Sequence, residues 1–203
     1  MVDTFAYQYT RKPPKITVPR DNVIVRLCSI EGGFSTPLDS GVIPENEKFV
    51  EDIKKWSEIC NNLFVWDYTT NYRHYLAPFA NFDIIQRNLQ FFAENNVIGV
   101  YEEGNYTAAE CDGAFAELRG YLLAKLMWDP YCDLNKHIEE FTDFYYGAAG
   151  PMVREYMETM CKICEDNNYH FTCYGHGKSG ERLTHCAPFL EYLTPEYMKI
   201  YHE

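Results

Sequence analysis

Three short apolar runs in this chain each end on a carboxylate. Residues 22–30 (NVIVRLCSI) lead into Glu31, residues 63–66 (LFVW) into Asp67, and residues 97–101 (VIGVY) into Glu102 and Glu103. Glycosidic-bond cleavage commonly requires two carboxyl groups about 5 to 9.5 Å apart, one protonated and one ionised. Like charges at that separation resist ionising together, so at least one pKa would rise. Side chains alternate along a strand, so only one of Glu102 and Glu103 can face inward. Periodicity leaves that choice open, and Glu102 is favoured. Aromatic and polar residues crowd the same positions: Trp66 and Tyr68 flank Asp67, Asn71, Tyr72, Arg73 and His74 follow, and Tyr101 precedes the glutamates. Flat aromatic walls with amide, guanidinium and imidazole donors suit the apolar faces and hydroxyl edges of sugar rings. Arg73 is also able to clamp a substrate carboxylate in bidentate fashion. The plain structural alternative is that strand-end acids cap helices or face water, and that alternate aromatics pack in the core.

Elements must bring these residues together. The three runs, with residues 4–9, read as four strands near 4–9, 22–30, 63–68 and 97–102. Helical stripes fill the gaps: Phe49, Val50, Ile53, Trp56 and Cys60 after Pro44, then Ile84, Ile85, Leu89 and Phe92, then Phe115, Leu118, Leu122 and Leu126, stopped by Asp129-Pro130. Two more helices follow without strands, one over Leu134, Ile138, Phe141 and Tyr145, ending at Gly147. The other, over Met152, Tyr156 and Met160, opens on Pro151, and a short helix starts at Thr194-Pro195. This order predicts a parallel sheet with helices outside, whose C-terminal strand ends carry the active site. Adjacent parallel strands lie about 4.8 Å apart, so strand-end acids at matching heights fall within reach of one bond. The predicted class is α/β, about half of a TIM-type (β/α)8 barrel, because a closed barrel needs eight strands and about 250 residues. Half-barrel units occupy 1–130, and 131–203 form a helical extension of the same domain. Residues 104–113 and 175–180 read as long loops.

Composition narrows the chemistry. The 203 residues carry a formal charge of −12, and the 18 basic residues form no cluster, which argues against a nucleic-acid partner. The one basic stretch, Arg11, Lys12, Lys15 and Arg20, is broken by Pro13, Pro14 and Pro19 and reads as a solvated connection. No run approaches the roughly 18 to 20 apolar residues that span a bilayer, so no membrane partner is expected. No signal pattern opens the chain, and the compartment is left open. Cys161, Cys164, Cys173, Cys186, His176 and His185 hold enough soft ligands to suggest zinc. Cys161 and Cys164, however, share a face of an amphipathic helix, where buried thiols are expected anyway. CYGHGKSGER lacks both the preceding strand and the spacing of a phosphate loop. No metal and no organic cofactor is therefore expected.

The stretches IVRLCSIEGGFSTPL, LFVWDYTTNYRHYLAPFANF, VIGVYEEGN and FAELRGYLLAKLMWDP resemble a family of large bacterial proteins of unassigned function. Their central barrel is similar to those of α-glucuronidases and β-hexosaminidases. The resemblance implies that this chain is the C-terminal half of such a barrel, strands five to eight, and that the partner is a carbohydrate. In the similar inverting α-glucuronidases an Asp on strand seven and a Glu on strand eight act together as the water-activating base, with the acid on an earlier strand. Asp67 and Glu102 match the base pair; Glu31, on strand six, is a weaker match to the acid. The implied function is a glycoside-hydrolase-like domain acting on or binding a glycan and inactive as an isolated fragment. The alternatives are a non-catalytic carbohydrate-binding module, or a structural domain that self-associates through exposed strand edges or with the missing half-barrel.

Overall fold

A computed structural model of the chain describes residues 1–72, 74–105, 113–171, 175–178, 184–185 and 191–202, the side chains of 175–178, 184, 185 and 191 excepted. Four strands, β1 (Val2–Ala6), β2 (Val23–Cys28), β3 (Leu63–Tyr68) and β4 (Val97–Glu103), form one sheet in sequence order, every neighbouring pair parallel. Helices α1 (Pro44–Ile59), α2 (Ile85–Glu94) and α3 (Ala116–Trp128) follow β2, β3 and β4. The expected α/β architecture with a four-stranded parallel sheet is the observed one.

Alternation decides which residues meet the helices. Val25 and Leu27 on β2, Leu63 and Val65 on β3, and Val100 on β4 point to one face and form a core with Phe49, Ile53, Leu89, Phe92, Leu118 and Leu122. Residues of the other parity point away from the helices. They include Phe5, Arg26, Phe64, Trp66, Tyr101 and Glu103. Phe5 remains 53% and Tyr101 46% exposed, so this part of the second face is open, whereas Cys28 and Tyr68 at its C-terminal end are buried in a second core with Phe34, Tyr72 and Phe171. The Arg26 guanidinium lies between the rings of Phe5 and Phe64 and pairs with Asp3.

A register shift at Leu63/Phe64 sets Leu63 beside Val97 but Phe64 beside Gly99. The Phe64 ring then covers Gly99 so closely that a Cβ there would overlap the ring atoms. Gly99→Ala is expected to destabilise the chain by about 2 kcal/mol through overpacking, read as a lower urea midpoint at unchanged slope.

Two expectations need correction. The first strand ends at Ala6 rather than running over 4–9, because the Thr10 hydroxyl accepts from the Tyr7 amide (3.0 Å) and donates to the Tyr7 carbonyl (2.9 Å), folding 8–10 into a 3₁₀ turn. Strands also do not stop near 102. After α4 (Leu134–Tyr146) and α5 (Gly150–Asp166), β5 (Tyr169–Phe171), β6 (Gly175–Lys178) and β7 (Thr184–His185) form an antiparallel sheet, before α6 (Pro195–Ile200). β6 occupies most of the stretch read as a glycine-rich loop. Its pairing partners, not its own propensity, make it a strand. The 104–113 loop falls largely outside the described residues.

Candidate functional site

Period-two alternation continues past the core. After Leu27 and Val65 on the helix-bearing face come Ser29 and Asp67, and Glu102 lies in register with Asp67 on the neighbouring strand. Ser29, Asp67 and Glu102 thus form one row across the C-terminal ends of β2, β3 and β4. Ser29 and Asp67 are buried and Glu102 half-buried. The Ser29 hydroxyl donates a short hydrogen bond to Asp67 Oδ1, and the Tyr68 backbone N–H also donates to the carboxylate. Glu102 Oε1 is sealed from solvent with no hydrogen-bond partner among the described residues.

The electrostatics follow from that inventory. Burial pushes the Asp67 carboxyl up to about 6, while the two donors that hold its charged form resist the rise. Burial raises Glu102 well above the usual carboxylate range, and the adjacent Asp67 charge raises it further. The proton of the pair is therefore favoured on Glu102, whose Oε1 has no donor to hold its charge among the described residues, and Asp67 is the member nearer to ionisation.

The remaining expected residues divide between other places. Glu103, one residue on, points to the open face, where its Oε2 accepts from Trp66 Nε1 at 2.5 Å. Trp66 packs against Tyr101 with ring centroids 4.4 Å apart, and against Phe5 at 5.5 Å. Trp66 and Tyr101 therefore lie on the opposite side of their strands from Asp67 and Glu102. Glu31 does not join the row; Arg11 binds it and also reaches Asp52 at 2.8 Å. Tyr68 and Tyr72 are buried, with rings 5.8 Å apart, and the Tyr72 hydroxyl donates to the Glu103 carbonyl at 2.5 Å. Asn71 is buried, with its Oδ1 accepting from the His74 amide at 3.2 Å, and His74 Nδ1 accepts from the Ala77 amide at 3.1 Å. Arg73 lies outside the described residues.

Two residues were missed in the sequence. Counting by twos from Val25 through Leu27 reaches Ser29, whereas attention to the next acid reached Glu31. Arg119 is buried on α3 over the Phe82 ring at 4.3 Å, and desolvation lowers its pKa to about 10. Its Nη1 donates to Asn81 Oδ1 at 2.6 Å, and Asn81 Nδ2 donates to the Thr69 carbonyl at 3.3 Å. Thr69 in turn donates from N and Oγ1 to the Glu103 carbonyl, at 3.3 and 2.9 Å. A buried cation thus braces the ends of β3 and β4. Its position between Leu118 and Leu122 in the helical stripe was the available signal.

Among the described residues no group of three or more His, Cys, Asp or Glu is placed to hold a metal ion. Of the zinc candidates, Cys164 is buried on α5 and Cys161 donates its thiol hydrogen to Asp83. Cys173, Cys186 and the side chains of His176 and His185 lie outside the described residues. Among the described residues no helix is long and apolar enough to cross a membrane.

These features define an α/β protein whose parallel sheet carries a buried Asp/Glu pair at its C-terminal ends. The family described as "Domain of unknown function (DUF4838)" matches residues 1–158, and the chain belongs to that family. A search of curated proteins and a search of solved structures each found no match.

Proposed function

We propose that this chain is the C-terminal half of a glycoside-hydrolase-like (β/α)8 barrel, with Asp67 and Glu102 as the paired carboxyl groups of its active site. The observation that carries the reading is the register that sets Asp67 beside Glu102 on neighbouring parallel strands, both with raised pKa values. Neighbouring acids whose environments push their titrations apart take unlike proton roles. Asp67, held ionised by Ser29 and the Tyr68 amide, takes the proton of the attacking water. Glu102 holds the proton that the pair shares, and the leaving-group acid comes from elsewhere in the barrel. The partly exposed second face is the side that would line such a barrel, while Asp67 and Glu102 project from the helix-bearing side of the same strand ends, so this reading has the substrate reach them over the C-terminal rim. The resemblance favours a glycan containing acidic or amino sugars.

The test is turnover of aryl uronides and aryl N-acetylhexosaminides by the full-length protein that carries this chain. Hydrolysis that rises as pH passes about 6, and that Asp67→Asn suppresses, supports the proposal. Failure to cleave any member of the panel, or cleavage indifferent to Asp67→Asn, overturns it.

A second reading, a non-catalytic carbohydrate-binding module, is favoured by the exposed Tyr101 ring packed on the half-buried Trp66 beside Glu103. On that reading Tyr101→Ala weakens glycan binding up to about tenfold, the worth of one aromatic contact. Titration of glycans by isothermal calorimetry, with and without the substitution, would show it.

A further inference from the structure

A cavity of about 540 Å³ opens on the helical side of the molecule, lined by residues around the start of α2 and along α4 and α5 and by no residue of the sheet. That volume suits a small organic ligand. Its apolar surface comes from Phe82, Leu134, Ile138 and Met157. Four carboxylates line it as well: Asp83, Glu139, Glu158 and Glu165. None of them makes an ion pair with another described residue. Among the described residues only two cations face the same space, Arg154 and Lys162. Arg154 is already committed to Asp143 at 2.6 Å and to the Thr142 hydroxyl at 2.5 Å. Among the described residues, four carboxylates, of which only Asp83 accepts a side-chain hydrogen bond, from Cys161, therefore oppose one ammonium outside any ion pair, Lys162, around an apolar hollow.

We propose that this cavity between α2, α4 and α5 is a binding site for a small organic cation with an apolar body, such as a protonated aryl- or alkylamine. The apolar part enters against Ile138 and Met157, and the ammonium stays at the exposed rim near Glu158 and Glu165. Those two residues are seven apart on α5, two turns along one helical face. Desolvation stays modest because the rim is open to water, while the surplus of negative charge selects the sign of the ligand. An anion of the same shape meets the same apolar surface and the opposite field. The site is independent of the Asp67–Glu102 pair and stands whether or not that pair hydrolyses anything.

The experiment titrates the whole chain with 4-phenylbutylammonium, 4-phenylbutan-1-ol and 4-phenylbutanoate, following backbone amide shifts by NMR. The ammonium is expected to bind about tenfold more tightly than the carboxylate, with the alcohol between them and the shifts concentrated in 134–139 and 154–165. Added salt weakens the ammonium and spares the alcohol. Glu158→Gln with Glu165→Gln, both on the exposed rim, is expected to lower ammonium affinity about fivefold at an unchanged melting temperature. Equal affinity for all three compounds, shifts centred elsewhere, no saturable binding, or affinity unaffected by the double substitution would each overturn the proposal.

Discussion

On the proposed glycoside-hydrolase reading, Asp67→Asn in the full-length protein is expected to lower hydrolysis by roughly 10²- to 10⁴-fold, the usual worth of a positioned acid or base. The amide has nearly the shape of the carboxylate, and the Ser29 hydroxyl still finds an acceptor at Oδ1. It cannot take a proton from water. At neutral pH the substitution also removes a charge that burial opposes and that lies beside Glu102, so the melting temperature is expected to hold or rise. Loss of activity with stability retained is the signature of a group kept for chemistry. The reverse pattern, a lower melting temperature with turnover intact, would assign the pair to the architecture and sink the catalytic reading. Steady-state rates and thermal melts on the same preparations separate the two.

The same pair sets a pH dependence of stability whose sign is fixed by the direction of its shifts. For Asp67 the folded-state pKa, about 6, lies above its ordinary value of 3.8, and that of Glu102 lies well above 4.5. The folded chain therefore binds more protons than the unfolded chain between those values. Below the unfolded pKa both states are protonated and the stabilising difference is fully present. It is lost as pH rises through the folded pKa. For Asp67 the loss amounts to about 3 kcal/mol between pH 4 and pH 7. Glu102 extends the decline upward. Carboxylates in surface ion pairs, such as Glu51 with Lys55, slope the other way, so the measurement compares urea unfolding of the wild type with that of Asp67→Asn. The substituted chain is expected to lose the Asp67 share of the decline. Parallel curves for the two would mean that Asp67 titrates as an ordinary solvated acid.

Much of the fold was legible because its signals are local. Pro44 at the first helical turn, the stripe of Phe49, Ile53 and Trp56, and the β-branched runs around Val25 and Val65 each report a periodicity that burial on one side imposes. β6 was illegible, since Gly175–Lys178 has little strand propensity and is a strand only through its pairing with β5 and β7. The end of β1 was misplaced for a similar reason, because a single hydroxyl on Thr10 turns the chain.

The candidate site shows the same division more sharply. That Asp67 and a glutamate of the 102/103 pair stand at neighbouring strand ends follows from the residues alone, because strand length and parity are local properties. Which glutamate joins Asp67 depends on the shift at Leu63/Phe64, and pairing between strands, not either strand's own sequence, decides it. Packing also decided that Glu31 answers to Arg11, that Ser29 supports Asp67, and that Trp66 and Tyr101 turn to the open face. A chain encodes the type and period of its side chains in short range. Partners are chosen only when distant segments compete for the same buried volume and the same hydrogen bonds.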